Sequence, residues 1–108
     1  MGNQNYSFIK TEGTGVYSAY SVSGAVNSTS APAFEDSLVK ALSQTMNERK
    51  DRLILNMSGV TFLSSMGIRV ILSVYKRAKA LETEFCIENP SENVRNVLGM
   101  TALDQLLL

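Results

Sequence analysis

The segment Leu53-Ile54-Leu55-Asn56-Met57 limits the fold of this chain more than any other. It is of strand length and almost wholly apolar, the pattern of a strand covered on both faces of a parallel sheet. Beyond it, after Gly59-Val60-Thr61-Phe62-Leu63, the apolar spacing changes to that of a helix beginning near Ser64-Ser65. That spacing turns Ile68, Ile71, Leu72, Tyr75 and Ala78 inward and leaves Arg69, Ser73, Lys76 and Arg77 toward solvent. A buried strand feeding directly into an amphipathic helix implies a layered α/β fold.

The rest of the chain supplies the partners of that unit. Residues 6–11 and 16–23 read as two strands around Glu12-Gly13-Thr14-Gly15, a hairpin. Small and polar residues from Gly24 to Ser30 read as a connection. Ala31-Pro32 then opens a helix, proline being suited to the first turn, with Ala31, Phe34, Leu38, Ala41, Leu42 and Thr45 as its buried stripe. Glu84–Glu88 returns as a strand around Phe85 and Ile87. Pro90-Ser91 starts a third helix with Val94, Val97 and Leu98 inward and Gly99 at its end, and residues 102–107 read as a short terminal helix or turn. Strand and helix alternate after the hairpin, so the later strands are expected to be parallel, joined by right-handed crossovers. The expected fold is one α/β domain over residues 1–108: a mixed sheet of four to five strands, an antiparallel hairpin at its N-terminal end, and covering helices.

Composition then narrows the function. The 108 residues include no histidine, which removes the usual general base and the commonest zinc ligand. The one cysteine, Cys86, lies between Phe85 and Ile87 and is expected to fill the core. Ten basic residues balance ten acidic ones, and this neutrality speaks against nucleic acid as a direct partner. No apolar stretch approaches the ~20 residues of a membrane helix, and the first residues lack the pattern of a signal peptide. A cytoplasmic protein with no cofactor or metal and no enzymatic activity is expected.

Chemistry concentrates at Ser64-Ser65-Met66-Gly67, where a helix start presents hydroxyls. Three readings are open. Ser64 or Ser65 caps the helix, its oxygen accepting a first-turn N–H. Ser65-Met66-Gly67 is half of a nucleophile elbow, but Leu63 stands at the preceding glycine position and no histidine can activate the serine. Or the serine is a phosphorylation site, the helix N-terminus accommodating a phosphate that adds roughly −1.5 to −2 charge to the surface.

The stretch from Leu53 to Ile68, with Gly24-Ala25-Val26-Asn27, Ala31-Pro32-Ala33-Phe34, Tyr75-Lys76-Arg77-Ala78-Lys79 and the closing residues 94–104, resembles the bacterial anti-sigma factor antagonists. These are STAS domains, a family shared with the tails of sulfate transporters. The resemblance implies an antagonist that binds a serine kinase acting also as an anti-sigma factor, and so regulates transcription by partner switching. It implies phosphorylation by that kinase at the start of the second helix, and reversal by a metal-dependent serine phosphatase. The family motif Asp-Ser-x-Gly places the phosphoacceptor at Ser65, with Ser64 as the alternate, and its glycine at Gly67.

Two positions depart from that pattern. Ser64 stands where the family usually has an acidic residue, and Asn27 where an aspartate commonly follows the early glycine turn. Both remove negative charge from the neighbourhood of Ser65. The expected partner-binding surface comprises Asn27, Ser28 and Thr29 with Ser64, Ser65, Met66, Gly67, Ile68 and Arg69. The arc Arg69, Ser73, Lys76, Arg77 reads first as a solvated face and second as a partner contact. The competing function is a STAS adaptor subunit in a transporter or other assembly, without phosphorylation.

Overall fold

The structure, a computed structural model, describes residues 6–108. Strands β1 (Ser7–Gly13) and β2 (Tyr17–Val26) form the hairpin, followed by α1 (Ala31–Asn47), β3 (Arg52–Leu63), α2 (Ser65–Ala80), β4 (Glu84–Glu88), α3 (Glu92–Met100) and the single turn α4 (Asp104–Leu107). The strands lie in one four-stranded sheet in the order β1-β2-β3-β4. β1 runs antiparallel to β2, while β2, β3 and β4 are mutually parallel. This is the fold class expected from the sequence.

The core occupies one side of the sheet. Tyr20 and Val22 of β2, Leu53, Leu55 and Met57 of β3, and Phe85 and Ile87 of β4 meet the α1 stripe and Ile71 and Val74 of α2, with Val94 and Leu98 closing the β3 edge from α3. The α1 stripe is the expected one, residue for residue. On the opposite side of the sheet Ala19, Ala25 and Ile54 are buried, whereas Ile9 is 58% exposed and Ser21, Asn56 and Cys86 are half-buried. The sheet is therefore one-sided, not covered on both faces. Cys86 follows from this: alternation turns Phe85 and Ile87 inward and Cys86 out of the core. Its partial burial, more than the neighbouring Glu88 and Glu84 charges, holds the thiol above its ordinary pKa, against the opposing pull of Arg52.

Two strands run further than their sequence suggests. β2 continues through Gly24 to Val26, and β3 through Ser58-Gly59 to Leu63. Both extensions pass through irregularities. The pairing offset changes between Ser21 and Ser23 and again between Gly24 and Ala25, each time leaving an extra residue in β3. These shifts change the inward spacing of β3 from two to three, so Met57, Val60 and Leu63 all face the core. Gly59 is required at the first shift, because a Cβ there would lie 2.8 Å from that of Ser23.

The inward face of α2 is centred on Gly67, Val70, Ile71, Val74 and Ala78. Ile68, Leu72 and Tyr75, expected in the core, are half-buried along its flank. Glycine marks the line of closest approach and so rotates the helix away from the position its larger apolar residues suggest.

The helix ends share one device. After α1, α2 and α3 a residue takes a left-handed φ: Arg49 (58°), Glu82 (60°) and Ala102 (62°). The following amide then reaches back five residues, Lys50 N–H to the Thr45 carbonyl, Thr83 to Ala78 and Leu103 to Leu98. In α3 the expected terminator, Gly99, lies inside the helix with open space where a Cβ would stand, and Ala102 adopts the conformation that glycine favours. Val97 is only half-buried there. Gly99→Ala and Ala102→Gly are each expected to stabilise the fold by roughly 0.5–1 kcal/mol, the first through helix propensity and the second by relieving a left-handed alanine. Urea denaturation of the two single variants measures this, and a lower midpoint for either contradicts the corresponding assignment.

Candidate functional site

Parallel pairing of β2 with β3 ends at Val26 opposite Leu63, and each strand there hands over to a helix. The N-terminal ends of α1 and α2 consequently emerge side by side at one end of the sheet. A hydrogen bond from Ser64 N–H to the Val26 carbonyl, 2.9 Å, ties the two exits together. Asn27–Thr29 and Ser64–Arg69, far apart in sequence, belong to this one end.

At the α1 exit, Asn27 is the operative cap. Its carbonyl accepts the Ala31 N–H at 2.8 Å, and its Oδ1 accepts from Thr29 N–H at 2.9 Å and Ser30 N–H at 3.0 Å. Ser30 Oγ in turn accepts the Asn27 N–H at 3.0 Å and donates to the Ala25 carbonyl at 2.7 Å. This reciprocal arrangement is a capping box in polar, uncharged form. The helical turn thus begins three residues before α1 proper. An aspartate could accept the same bonds, so asparagine keeps the geometry and removes only the charge. Ser28 and Thr29 are exposed on the outside of the turn.

At the α2 exit the two serines divide their roles. Ser64 has extended backbone and its Oγ accepts the Gly67 N–H at 3.2 Å, making it the N-cap. Ser65, the first helical residue, is exposed, and its hydroxyl has no hydrogen-bond partner among the described residues. Of the residues the helix spacing places near it, Met66 is 43% exposed and Arg69 stands one turn further on the same face. Ile68 is half-buried and turns to the flank. Gly67 is buried against the sheet: a Cβ would lie 2.7 Å from Leu63 Cδ1 and 2.8 Å from Val26 Cγ1. Its absent side chain lets α2 close over the ends of both strands.

Two contributors escaped the sequence reading. Phe62, to which the sequence reading gave no role, is 46% exposed because the second offset in β3 turns it outward beside the site. Asn93 of α3 accepts the Leu63 N–H through Oδ1 at 3.2 Å, satisfying the β3 edge where β4 has already ended. The Asn27-x-x-Ser30 spacing is a sequence signal for the early start of α1; nothing in the sequence singles out Asn93.

The chain segments that lead into the site lack carboxylates. Residues 13–34 contain no charged side chain, and residues 52–81 contain five cations and no carboxylate. Two helix N-termini add about half a positive charge each. The chain has no histidine, and neither segment has a carboxylate. The arrangement suits a hydroxyl modified by a group from outside, and a helix start able to accept an anion.

Comparison with known proteins places this geometry. A family model described as the STAS domain matches residues 8–107. The structure superimposes on an anti-sigma factor antagonist from Mycobacterium paratuberculosis with a TM-score of 0.83 at 24% identity, covering 98% of this chain and 86% of that one. It superimposes on the phosphorylated form of the Bacillus cell fate determinant SpoIIAA with a TM-score of 0.69 at 18% identity, covering 94% and 89%. For SLC26A9 the TM-score is 0.65 at 15% identity, and the matched fold is 82% of this chain but 16% of that one. At these identities the likeness is one of fold.

Three substitutions separate the roles at the α2 start. Ser64→Ala loses a cap and is expected to destabilise by about 1 kcal/mol. Ser65→Ala is expected to change stability by less than about 0.5 kcal/mol, as an exposed side chain without partners. Gly67→Ala forces a methyl into Val26 and Leu63 and is expected to destabilise by about 1–3 kcal/mol despite the better helix former. Equal losses for Ser64→Ala and Ser65→Ala in urea titrations would contradict the division between cap and free hydroxyl.

Proposed function

The chain belongs to the STAS domain family, matched from residue 8 to residue 107, and we propose that it is an anti-sigma factor antagonist switched by phosphorylation of Ser65. The observation that carries this reading is the contrast between adjacent serines, Ser64 committed to the cap and Ser65 exposed and free. Phosphorylated SpoIIAA shares the fold, which supports a domain of this shape carrying phosphate. The chain catalyses nothing itself on this reading. A partner kinase, itself the anti-sigma factor, supplies the base and ATP; the serine oxygen bonds to the γ-phosphorus, its proton passes to the kinase, and ADP leaves. A serine phosphatase reverses the step, and the cycle runs in the cytoplasm.

The partner surface is Asn27, Ser28 and Thr29 with residues 64–69, brought to one end of the sheet and joined by exposed Phe62 and Met66. Apolar Phe62 and Met66 supply desolvatable area, and Arg69 a directional donor, a composition suited to a protein interface. Phosphate at Ser65 would be tolerated by the helix start, so modification removes the partner without unfolding the domain. One observation favours the adaptor reading instead: Ser64 and Asn27 are uncharged where the family usually carries acid, which leaves a kinase fewer groups to orient the hydroxyl.

The test is incubation with ATP and the serine kinase co-purified from the native cell, followed by intact-mass measurement. A gain of one phosphate, absent in Ser65→Ala, is expected. No gain, or an equal gain in Ser65→Ala, overturns the assignment. Ser65→Asp is expected to fold normally, gaining about 0.3–1 kcal/mol at the helix start, and to lose kinase binding. Undiminished binding by that folded variant favours the adaptor.

A further inference from the structure

We propose that α2 beyond Ser65, with the groove it forms against α1, is a second docking surface for an acidic protein segment carrying an apolar anchor. This deepens the reading of the chain as a partner-binding module and rests on it only for the identity of the partner.

The charge comes from α2 itself. The helix carries Arg69, Lys76, Arg77 and Lys79 and no carboxylate. All four side chains belong to exposed residues, and none makes an ion pair among the described residues. The described ion pairs use Lys10, Lys40, Lys50 and Arg52, all outside α2. Arg69, Ser73, Lys76 and Arg77 recur at three- to four-residue spacing and form one outward stripe. In a chain of zero net charge, that concentration of unpaired cations on one helix is a local asymmetry that attracts a complementary surface.

The apolar component adjoins the stripe. Val39, Leu42, Ser43 and Met46 of α1, with Arg77 and Leu81 at the end of α2, line a concavity of about 250 Å³. Its lining is mostly apolar, Arg77 supplies a cation within it, and Leu81 is 45% exposed. A side chain of leucine or phenylalanine size fits such a space, and a neighbouring carboxylate would reach Arg77. Nucleic acid fits less well, because the stripe offers three cations and the groove beside it is apolar. A membrane surface fits less well too, because the apolar residues lie in a recess rather than along an exposed ridge.

Arg77 is twelve residues from Ser65, about 18 Å along the helix. That exceeds the screening length of about 8 Å at physiological ionic strength. Phosphate at Ser65 therefore leaves the Lys76–Leu81 end of this surface usable, whereas Arg69, one turn from the serine, feels it. A kinase or phosphatase held there stays close to the serine in both states, and its second contact becomes intramolecular.

The experiment is amide chemical-shift mapping on the full chain with a synthetic peptide of four glutamates flanking one leucine. Shifts confined to Ser43, Met46, Ser73, Lys76, Arg77 and Leu81 are expected. The glutamine counterpart of the peptide, or 1 M salt with its screening length of about 3 Å, abolishes them. The double variant Lys76→Glu/Arg77→Glu is expected to bind about tenfold more weakly, while Ser65→Asp stays within about twofold of the parent. Shifts spread over Lys40 and Arg95, no shifts at all, or tighter binding to phosphatidylserine vesicles or single-stranded RNA overturns the proposal. Localised shifts without phosphorylation at Ser65 leave this surface standing and remove the kinase reading; phosphorylation without localised shifts does the reverse.

Discussion

The parallel pairing of β2 with β3, carried to the last residue of each strand, is the constraint on which the rest of the molecule depends. Because Val26 and Leu63 are neighbours, the two longest helices must start side by side. Gly67 then decides how closely α2 can follow, since Val26 and Leu63 occupy the space a side chain would need. Cap, phosphoacceptor candidate and exposed apolar residues all take their positions from that contact. Moving α2 outward by one methyl would alter the whole end of the sheet.

Electrostatics follows from the same arrangement. Two helix starts converge at the ends of β2 and β3, and α2 carries four cations and no carboxylate along its length. The carboxylates lie elsewhere: Glu48 at the far end of α1, held below its usual range chiefly by its bond to Lys50, and Glu84 paired with Arg52 across the sheet. Net neutrality of the chain thus conceals a division between α2, which carries cations alone, and the rest of the chain, which carries all the carboxylates.

Much of this was legible in the sequence, and the exceptions share a cause. The α1 stripe from Ala31 to Thr45 is read correctly because each inward residue is apolar or small, and the helical period is unbroken. β4 is short and regular, and its bounds agree with expectation. Errors arise where backbone geometry departs from the side-chain pattern. Gly24 and Ser58-Gly59 look like breaks but sit at strand irregularities, Gly24 with a φ of 88°. Arg49, Glu82 and Ala102 end helices in a conformation their side chains do not advertise. The face of α2 is set by a glycine, which contributes nothing to a hydrophobic count. Of the site, the serine pair, Asn27 and Arg69 could be found by type and position. Phe62 and Asn93 could not, since their roles come from a shifted register and from a strand that ends early.

The bond from Leu63 N–H to Asn93 has a further consequence. It makes α3 a strut for the chain immediately before Ser64, while the Val26 carbonyl holds the same backbone from the other side. The serine pair is therefore clamped between two separately packed elements and has little freedom to lose. The backbone that leads into the serine pair is held before a visitor arrives, which lowers the cost of ordering it on association. Recognition here becomes a matter of matching shape and sign, and on the proposed function a phosphate on Ser65 acts through the sign.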